Sequence, residues 1–511
     1  MKLQLARNAF ANLIGAAIPA AVALATVPLI VRGLGDAGYG VYALITAIVG
    51  YFAIIDINVT AGSVKHIAAH WALGQQQDNS AGAHQGIAQT ITFGLLVYSV
   101  VGSAGGVAVW CSAPWLVHDI FSVPAALSAS ATAALQLAAA GFMVGQLQSY
   151  LDSVPQSLLR YDSSARLDVL FGSVVPLGTV LVLMLGGGLF QVILLRLVAS
   201  SVHCLLLWRT IRRLLPGLRL RWPAQAVRRS VLRFSAYACL NRFAAMSYAY
   251  ADKLIIGALV GMAGLAVYAV ACTLANRLLG LTGRLASVLF PAASALAARD
   301  ELPRLVQIYL KASRYLTFIN GAMLLLVAVF AEPILRYWIS ADFARRGATV
   351  LAVMALSQFI DALTALPSLV NDGMGHPAVT GCFALARALL GLATVYLGVL
   401  LAGIDGAAWG HLAASTCMTT VFLRFVHGRT VPVRLRAVVA GAYLPGALGL
   451  LGIAVVATLA QRTISGGLGA CLGIGVATCA ALAVYGGVLI AAPADRDRLR
   501  SLWRARSAPE T

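Results

Sequence analysis

The chain alternates between long apolar runs and short stretches that contain polar, glycine or proline residues. Each run is close to the roughly 20 residues that a helix needs to cross the hydrocarbon core of a bilayer. Two pairs, 167–208 and 377–423, are divided only by "GGG" and "IDG", so twelve or thirteen helices remain alternatives. The runs predict fourteen membrane-spanning helices, at 8–31, 39–70, 84–110, 125–150, 167–186, 189–208, 231–257, 265–290, 313–331, 347–370, 377–402, 405–423, 439–461 and 467–492.

Composition supports this all-α, polytopic membrane fold. Of the 511 residues, 60% are hydrophobic and only 11% are charged, whereas about a quarter of the residues of a soluble domain are charged. The mean hydropathy is +0.86. A soluble fold could not bury so much apolar surface, so the bilayer is the solvent that this composition suits.

The basic residues are distributed unevenly between the two sides of the predicted topology. The chain has 37 Lys and Arg against 18 Asp and Glu, a net charge of +19. If helices alternate from a cytoplasmic N-terminus, 26 of the 37 cations fall in cytoplasmic segments and five in outer loops. This is the positive-inside rule, and it predicts a multi-pass protein with both termini in the cytoplasm. Because topology and anionic headgroups explain the charge, no nucleic-acid partner is expected.

The six remaining cations fall inside predicted helices, together with several acids. A buried cation costs several kcal/mol in lipid, so these groups are expected to face a polar interior or a water-filled cavity. Arg277 and Arg284 are seven residues apart, two helical turns, and therefore share a helix face. The embedded cations are Arg196, Arg242, Lys253, Arg277, Arg284 and Arg387, and the acids include Asp56, Asp252 and Asp361.

Helix counting arranges four of these cations along one path. Arg242 and Arg284 are predicted near the inner mouth, Arg277 somewhat past the middle and Lys253 nearer the exterior. We interpret them as a cationic ladder that lines a substrate cavity, with Arg196 and Arg387 as further embedded cations. Two structural alternatives stay open, namely an Asp252–Lys253 neighbour pair and snorkelling of Arg284 to the headgroups.

One phrase occurs twice. "GDAGYGVYA" at 35–43 returns as "GMAGLAVYA" at 261–269, with six of nine letters identical, and each copy joins two predicted helices at the same place in a six-helix unit. The separation between the two copies is too long for the repeat of a solenoid and fits two parallel lobes. The predicted organisation is a six-helix lobe at 1–208, an arginine-rich cytoplasmic linker at 209–230, a second six-helix lobe at 231–427, two additional helices at 439–492 and a cytoplasmic tail at 493–511.

Several signatures of other classes are absent from the sequence. It has no G-x-x-x-x-G-K-[ST] phosphate loop, no H-E-x-x-H and no C-x-x-C, and its eight cysteines are scattered. We therefore expect no ATPase activity, no metal site and no cofactor, although a coupling ion, H⁺ or Na⁺, is left open.

The opening "RNAFANLIGAAIPAAVALATVPLIVRGLGDAGYGVYAL", followed by "DINVTAGSVKHIA", resembles polysaccharide-biosynthesis exporters, the O-antigen repeat-unit flippases of the multidrug/oligosaccharidyl-lipid/polysaccharide (MOP) superfamily. The segment "ADKLIIGALVGMAGLAVYAVACTLANRL", with Pro291 after it, is similar to the seventh and eighth helices of that family. One position departs from the pattern, because Asn58 stands where the family has a glycine two residues after Asp56.

The resemblance implies a MATE-like fold and a transporter of the bacterial inner membrane. Its substrate would be a polyprenyl-diphosphate-linked oligosaccharide, a repeat unit of O-antigen, capsule or exopolysaccharide, moved by alternating access. Arg277, Arg284 and Arg242 would hold the diphosphate and Lys253 would receive it, oriented by Asp252. Asp56, Lys65 and Asp361 would be gating or coupling candidates. Membrane lipids, and a polysaccharide polymerase or other glycan-assembly proteins, would be partners.

Two other classes are alternatives. A cation or drug antiporter of the same superfamily would need a cavity rich in carboxylates and aromatic residues. A membrane enzyme of glycan assembly, such as a polymerase, ligase or glycosyltransferase, would need an acidic pair or a His/Arg centre on a sizeable outer loop. A peptidoglycan-precursor flippase is a closer variant, but the first predicted helix lacks an arginine of the kind found in those relatives.

Overall fold

The computed structural model describes residues 2–55, 59–76, 80–158, 160–287, 301–445, 450, 475–476 and 478–480. All regular secondary structure in these residues is helical. The all-α class predicted from the apolar runs is therefore confirmed.

Eight helices cover the first part of the chain. A π-helical turn, Leu116–Ile120, follows the third helix, and another, Ser247–Ala251, joins the seventh to the eighth. The helices are α1 Lys2–Phe52, α2 Val59–Gln76, α3 Ser80–Trp115, α4 Ala125–Ser157, α5 Tyr161–Met184, α6 Leu189–Leu214, α7 Gln225–Met246 and α8 Asp252–Leu259.

Among the described residues that follow, six more helices are present, and the first of them carries the second copy of the repeated phrase. The last of them is followed by a π-helical turn at Val439–Tyr443. They are α9 Met262–Ser287, α10 Leu302–Val329, α11 Ala331–Trp338, α12 Ala341–Gly373, α13 Pro377–Arg429 and α14 Leu435–Val438. Most residues of the predicted spans 439–461 and 467–492 lie outside the described residues.

Within the described residues, nine helices are long and apolar enough to cross a membrane. Helix α5 shows why the surface needs lipid around it: Leu177, Leu181 and Met184 on one face are 54%, 58% and 78% exposed. A contiguous apolar stripe of this kind is unfavourable in water and ordinary in a bilayer. The chain is therefore a multi-pass membrane protein, while the exact number of fourteen spans stays a prediction.

Both copies of the repeated phrase form a tight turn that begins at its first glycine. Gly35 has φ +70° and ψ 165° and bends α1 into two helices, and Gly261 has φ +93° between α8 and α9. Residues with a side chain rarely adopt these backbone angles, so glycine is required at the turn. The copies also touch, because a Cβ on Gly40 would overlap the carbonyl oxygen of Met262. The phrase therefore serves both as a turn and as a backbone-to-backbone packing surface.

The second predicted span, 39–70, differs from the structure. Helix α1 ends at Phe52, a 3₁₀ turn occupies Ala53–Ile55, and α2 is described from Val59 onward. The sequence between Phe52 and Thr60 is rich in β-branched Ile and Val, whose restricted χ1 rotation lowers helix propensity. An apolar run alone did not reveal this break.

The chain divides into two compact units. The first comprises the described parts of Met1–Val270 with Ala384–Ala407, and the second those of Ala271–Phe383 with Ala408–Thr511. In the first unit α4 packs against α3 and α6. In the second, α10 packs against α12. The predicted boundaries of lobes, linker and tail stay a prediction.

Candidate functional site

A cavity of about 350 Å³ lies inside the first unit. Its walls come from the second half of α1, from α4, from α6, and from α7 with the π-helical turn that follows it. Its volume is at the lower end of the range of about 300–1,000 Å³ that small-ligand sites span. The π-helical turn brings Tyr250 to the wall, and Gly50 on α1 leaves the space for that ring.

Arg196 on α6 is held in a fixed position at this cavity. Its Nη1 donates hydrogen bonds of 3.1 Å to the hydroxyls of Tyr42 and Thr46 on α1, and its guanidinium carbon lies 5.5 Å from the centre of the Tyr42 ring. Hydrogen bonds and a π face both lower the cost of keeping a cation away from water. Arg196 is therefore preorganised to bind an anion.

Arg242 on α7 supplies a second guanidinium to the same cavity. Its Nε lies 3.5 Å from the carbonyl oxygen of Ala53, at the long limit for a hydrogen bond. None of the described residues that line the cavity is Asp or Glu. The two arginines therefore give the cavity a positive potential, and a planar guanidinium suits phosphate oxygens well.

The α4 wall adds neutral polar chemistry. Gln146 is only 4% exposed and lines the cavity, and its Nε2 has no hydrogen-bond partner within the described part of the chain. Ser149 lies one turn further on the same helix, and Ser200 lies one turn beyond Arg196 on α6. The cavity thus combines two cations with amide and hydroxyl groups.

Lys253 and Asp252 form an ion pair that does not line this cavity. The Nζ of Lys253 lies 3.1 Å from Oδ1 of Asp252 and donates to the carbonyl oxygen of Ala249 at 2.8 Å. The Tyr268 hydroxyl donates to Oδ2 of Asp252 at 3.0 Å. The structure thus contains the neighbour pair that the sequence left as an alternative. Tyr268 and Tyr42 occupy the same position in the two copies of the repeated phrase.

The other predicted cations are spread over both units. Arg387, in the first unit, donates to the Tyr248 hydroxyl at 2.8 Å and stacks on that ring. Arg277 is exposed on α9 and belongs to the second unit. The side chain of Arg284 lies outside the described residues. The cavity therefore unites Arg242 with Arg196, and the four-residue ladder stays a prediction.

The gating and coupling candidates lie in different environments. Asp361 is buried on α12 in the second unit, and Lys65 is exposed on α2 in the first. Asp56 lies outside the described residues. Neither Asp361 nor Lys65 lines the cavity, and the predicted roles of all three residues stay predictions.

Sequence reasoning did not identify Gln146, Tyr42 or Thr46 as site residues. Gln146 could have been noticed as an amide in the apolar stretch "AAAGFMVGQLQSYL", where Gly141 and Gly145 are spaced by one turn. Tyr42 belongs to the repeated phrase, but the sequence does not show that α6 brings Arg196 to it.

Comparison with known proteins agrees with the family resemblance found in the sequence. Residues 29–346 match a family model described as polysaccharide biosynthesis protein. A Shigella flexneri protein named "Putative O-antigen transporter" is 21% identical over 427 residues, which cover 80% of this chain and 94% of that protein.

Solved structures share the fold. The lipid II flippase MurJ, in an inward closed conformation, superposes with a TM-score of 0.74 at 12% identity and covers 93% of this chain and 97% of its own. A multidrug resistance MATE family transporter of the MOP superfamily, in an inward-facing conformation, gives a TM-score of 0.70 at 14% identity over 83% of this chain and 98% of its own. At such identities the likeness concerns the fold.

Proposed function

Because the chain belongs to the polysaccharide biosynthesis protein family, whose model covers more than half of it, we propose that it is a flippase for lipid-linked oligosaccharides. It is a membrane transporter and not an enzyme. Its substrate is a polyprenyl-diphosphate-linked repeat unit of O-antigen, capsule or exopolysaccharide. The protein resides in the bacterial inner membrane with both termini in the cytoplasm, and it cooperates with a polymerase and other glycan-assembly proteins.

The cavity with Arg196 and Arg242 is the observation that carries this proposal. A diphosphate must leave the aqueous interface to cross the membrane, and two guanidinium groups in the cavity stabilise its charge during passage. Arg196 is already oriented by Tyr42 and Thr46, so little ordering is needed when the anion binds. The prenyl chain can remain in the surrounding lipid.

Transport proceeds by alternating access between two six-helix lobes, with two additional helices at the C-terminal end. Arg277 and Arg284 extend the anion path, and Lys253, oriented by Asp252, receives the diphosphate nearer the exterior. Asp56, Lys65 and Asp361 serve gating or coupling to H⁺ or Na⁺. The MATE-like fold and the embedded position of these residues in the sequence support this arrangement.

A cation or drug antiporter is the second candidate, favoured by the likeness to the multidrug resistance transporter. Such a protein needs carboxylates where the cation binds. The lining of the cavity carries two arginines and neither Asp nor Glu among the residues described there, which disfavours a cationic substrate.

Reconstituted vesicles test the proposal directly. The initial rate at which a fluorescent polyprenyl-diphosphate oligosaccharide crosses the bilayer is measured for the wild type, Arg196→Ala and Arg242→Ala. Loss of a charge-assisted contact worth about 1.5–3 kcal/mol should lower the rate about ten- to hundredfold. Arg345→Ala is the matched control, because Arg345 is exposed, pairs with Asp342 on the same helix and does not line the cavity.

Wild-type rates in both cavity variants would refute the cationic cavity. The same vesicles loaded with a fluorescent organic cation address the antiporter. Exchange of the cation against a proton gradient, without movement of the oligosaccharide lipid, would favour the second candidate.

A further inference from the structure

The amide of Gln146 lies in a place where a polar group needs a partner. It is 4% exposed, it borders the cavity, and its Nε2 donates to no acceptor within the described residues. Leaving a buried donor without an acceptor is costly, so such a group calls for an explanation. Because Gln146 lines the cavity, a turn of its side chain toward a ligand oxygen there would satisfy the amide.

The helix that carries Gln146 also presents bare backbone to the cavity. Gly141 and Gly145 are one turn apart on α4 and both line the cavity, and a Cβ on either would meet nothing within 4 Å. Space next to these glycines therefore belongs to the cavity and is not filled by packing. Any larger residue at 141 or 145 would occupy it.

This wall differs in chemistry from the side that carries the cations. The guanidinium groups come from α6 and α7, whereas α4 offers the Gln146 amide and the Ser149 hydroxyl and contributes no charged group to the lining. Phosphate oxygens gain most from the guanidiniums, because charge-assisted bonds are about twice as strong as neutral ones. A neutral amide and a hydroxyl match sugar hydroxyls, which both donate and accept.

We propose that Gln146, with the open wall at Gly141 and Gly145, forms a neutral subsite for the first sugar of the lipid-linked oligosaccharide. The subsite rests on the proposed function, since it presupposes that the arginines hold the adjoining diphosphate. A cavity of about 350 Å³ has the size of a small-ligand site. It therefore holds the diphosphate with its proximal sugar, and the rest of the repeat unit lies beyond it.

The test compares two probes on the purified full-length protein in lipid nanodiscs, by titration calorimetry. One probe is a short-chain polyprenyl diphosphate, and the other is the same lipid diphosphate carrying a single hexose. Gln146→Leu removes the amide, and Gly145→Leu fills the wall. Each should weaken binding of the hexose-bearing probe about tenfold, the effect of one or two lost hydrogen bonds, and leave the sugar-free probe unchanged.

Two substitutions of the same type serve as controls. Gln307→Leu replaces an exposed glutamine on α10, and Gly428→Leu fills open space on α13. Neither should alter the binding of either probe. Gln146→Met and Gly141→Val are second variants at the wall, used if a first variant elutes as aggregate in size-exclusion chromatography.

The outcomes separate the subsite from the proposed function. Equal loss for both probes in the Gln146 and Gly145 variants, or no loss for either, would overturn the sugar subsite. Unchanged binding of the sugar-free probe to Arg242→Ala would instead count against the diphosphate site. Selective loss for the hexose probe in the wall variants, with loss for both probes in Arg242→Ala, supports both.

Discussion

At the residue scale, glycines determine much of the packing in the first unit, because they let neighbouring groups approach closely. Gly40 lets α1 approach the backbone of α9 at Met262, and Gly94 on α3 makes room for the ring of Tyr150. Protein interiors are packed so closely that even one additional methyl group is felt. These glycines are therefore required by their neighbours, whatever their own backbone angles.

Gly40→Ala should destabilise the protein, because its Cβ would overlap a carbonyl oxygen that belongs to rigid helical backbone. We expect a loss of about 1–3 kcal/mol or more in the free energy of unfolding, measured as a lower midpoint of thermal unfolding in detergent. Gly428→Ala meets no atom within 4 Å and should be neutral or stabilise by about 0.5–1 kcal/mol. Equal midpoints for both variants would contradict the close approach.

Tyr42→Phe should weaken the anion site and leave the fold intact. Arg196 would lose one of its two hydroxyl acceptors but keep Thr46 and the aromatic face. Affinity for a sugar-free polyprenyl diphosphate should fall about three- to tenfold, the effect of one lost hydrogen bond. Tyr42→Leu, which also removes the ring, should bind more weakly than Tyr42→Phe; the reverse order would disprove the role of the ring.

At the scale of elements, the sequence predicts the helices better than their breaks. A helix in lipid needs only a long apolar run, so within the described residues most predicted spans coincide with a helix. Several helices extend further than the run, as α10 begins at Leu302 where the run predicts 313. The turn at Gly35 follows from a local glycine, but the end of α1 at Phe52 lies inside an uninterrupted apolar run. The cavity depends on which helices pack against one another, and the hydrophobic pattern of the sequence does not reveal this. The sequence therefore identifies Arg196 and Arg242 as embedded cations but does not show that they are neighbours.

Gly35→Ala tests the turn of the first copy without a packing effect. No atom lies within 4 Å of the added Cβ, so any cost comes from the backbone angles alone. Angles of φ +70° and ψ 165° are essentially restricted to glycine, and the strain should lower stability by about 1–3 kcal/mol. Thermal unfolding provides the measurement, and a midpoint equal to that of Gly428→Ala would show that the turn tolerates a side chain.

At the scale of the whole molecule, the segment between α6 and α7 concentrates positive charge. Trp222 is exposed there beside two exposed arginines, and the adjoining ends of α6 and α7 add four more. None of the six forms an ion pair within the described part of the chain. Aromatic and basic side chains of this kind favour the cytoplasmic membrane surface. The arginines are Arg212, Arg213, Arg219, Arg221, Arg228 and Arg229.

Cysteine labelling would establish the orientation. In a cysteine-free background, Trp222→Cys should react with a membrane-impermeant maleimide in inverted vesicles and not in intact spheroplasts. Arg345→Cys, an exposed position that the topology places outside, should show the opposite pattern. Labelling of both from the same side would overturn the predicted alternation of helices.

Tyr42 and Tyr268 stand at the same position of the repeated phrase, yet one hydroxyl accepts from a guanidinium and the other donates to a carboxylate. A phenol can do either, because its proton rotates to suit the partner. The tyrosine of the repeated phrase can thus bind either a positive or a negative side chain. The charge held at this position can therefore differ in sign through the residues of the facing helix, while the duplicated turn itself stays as it is.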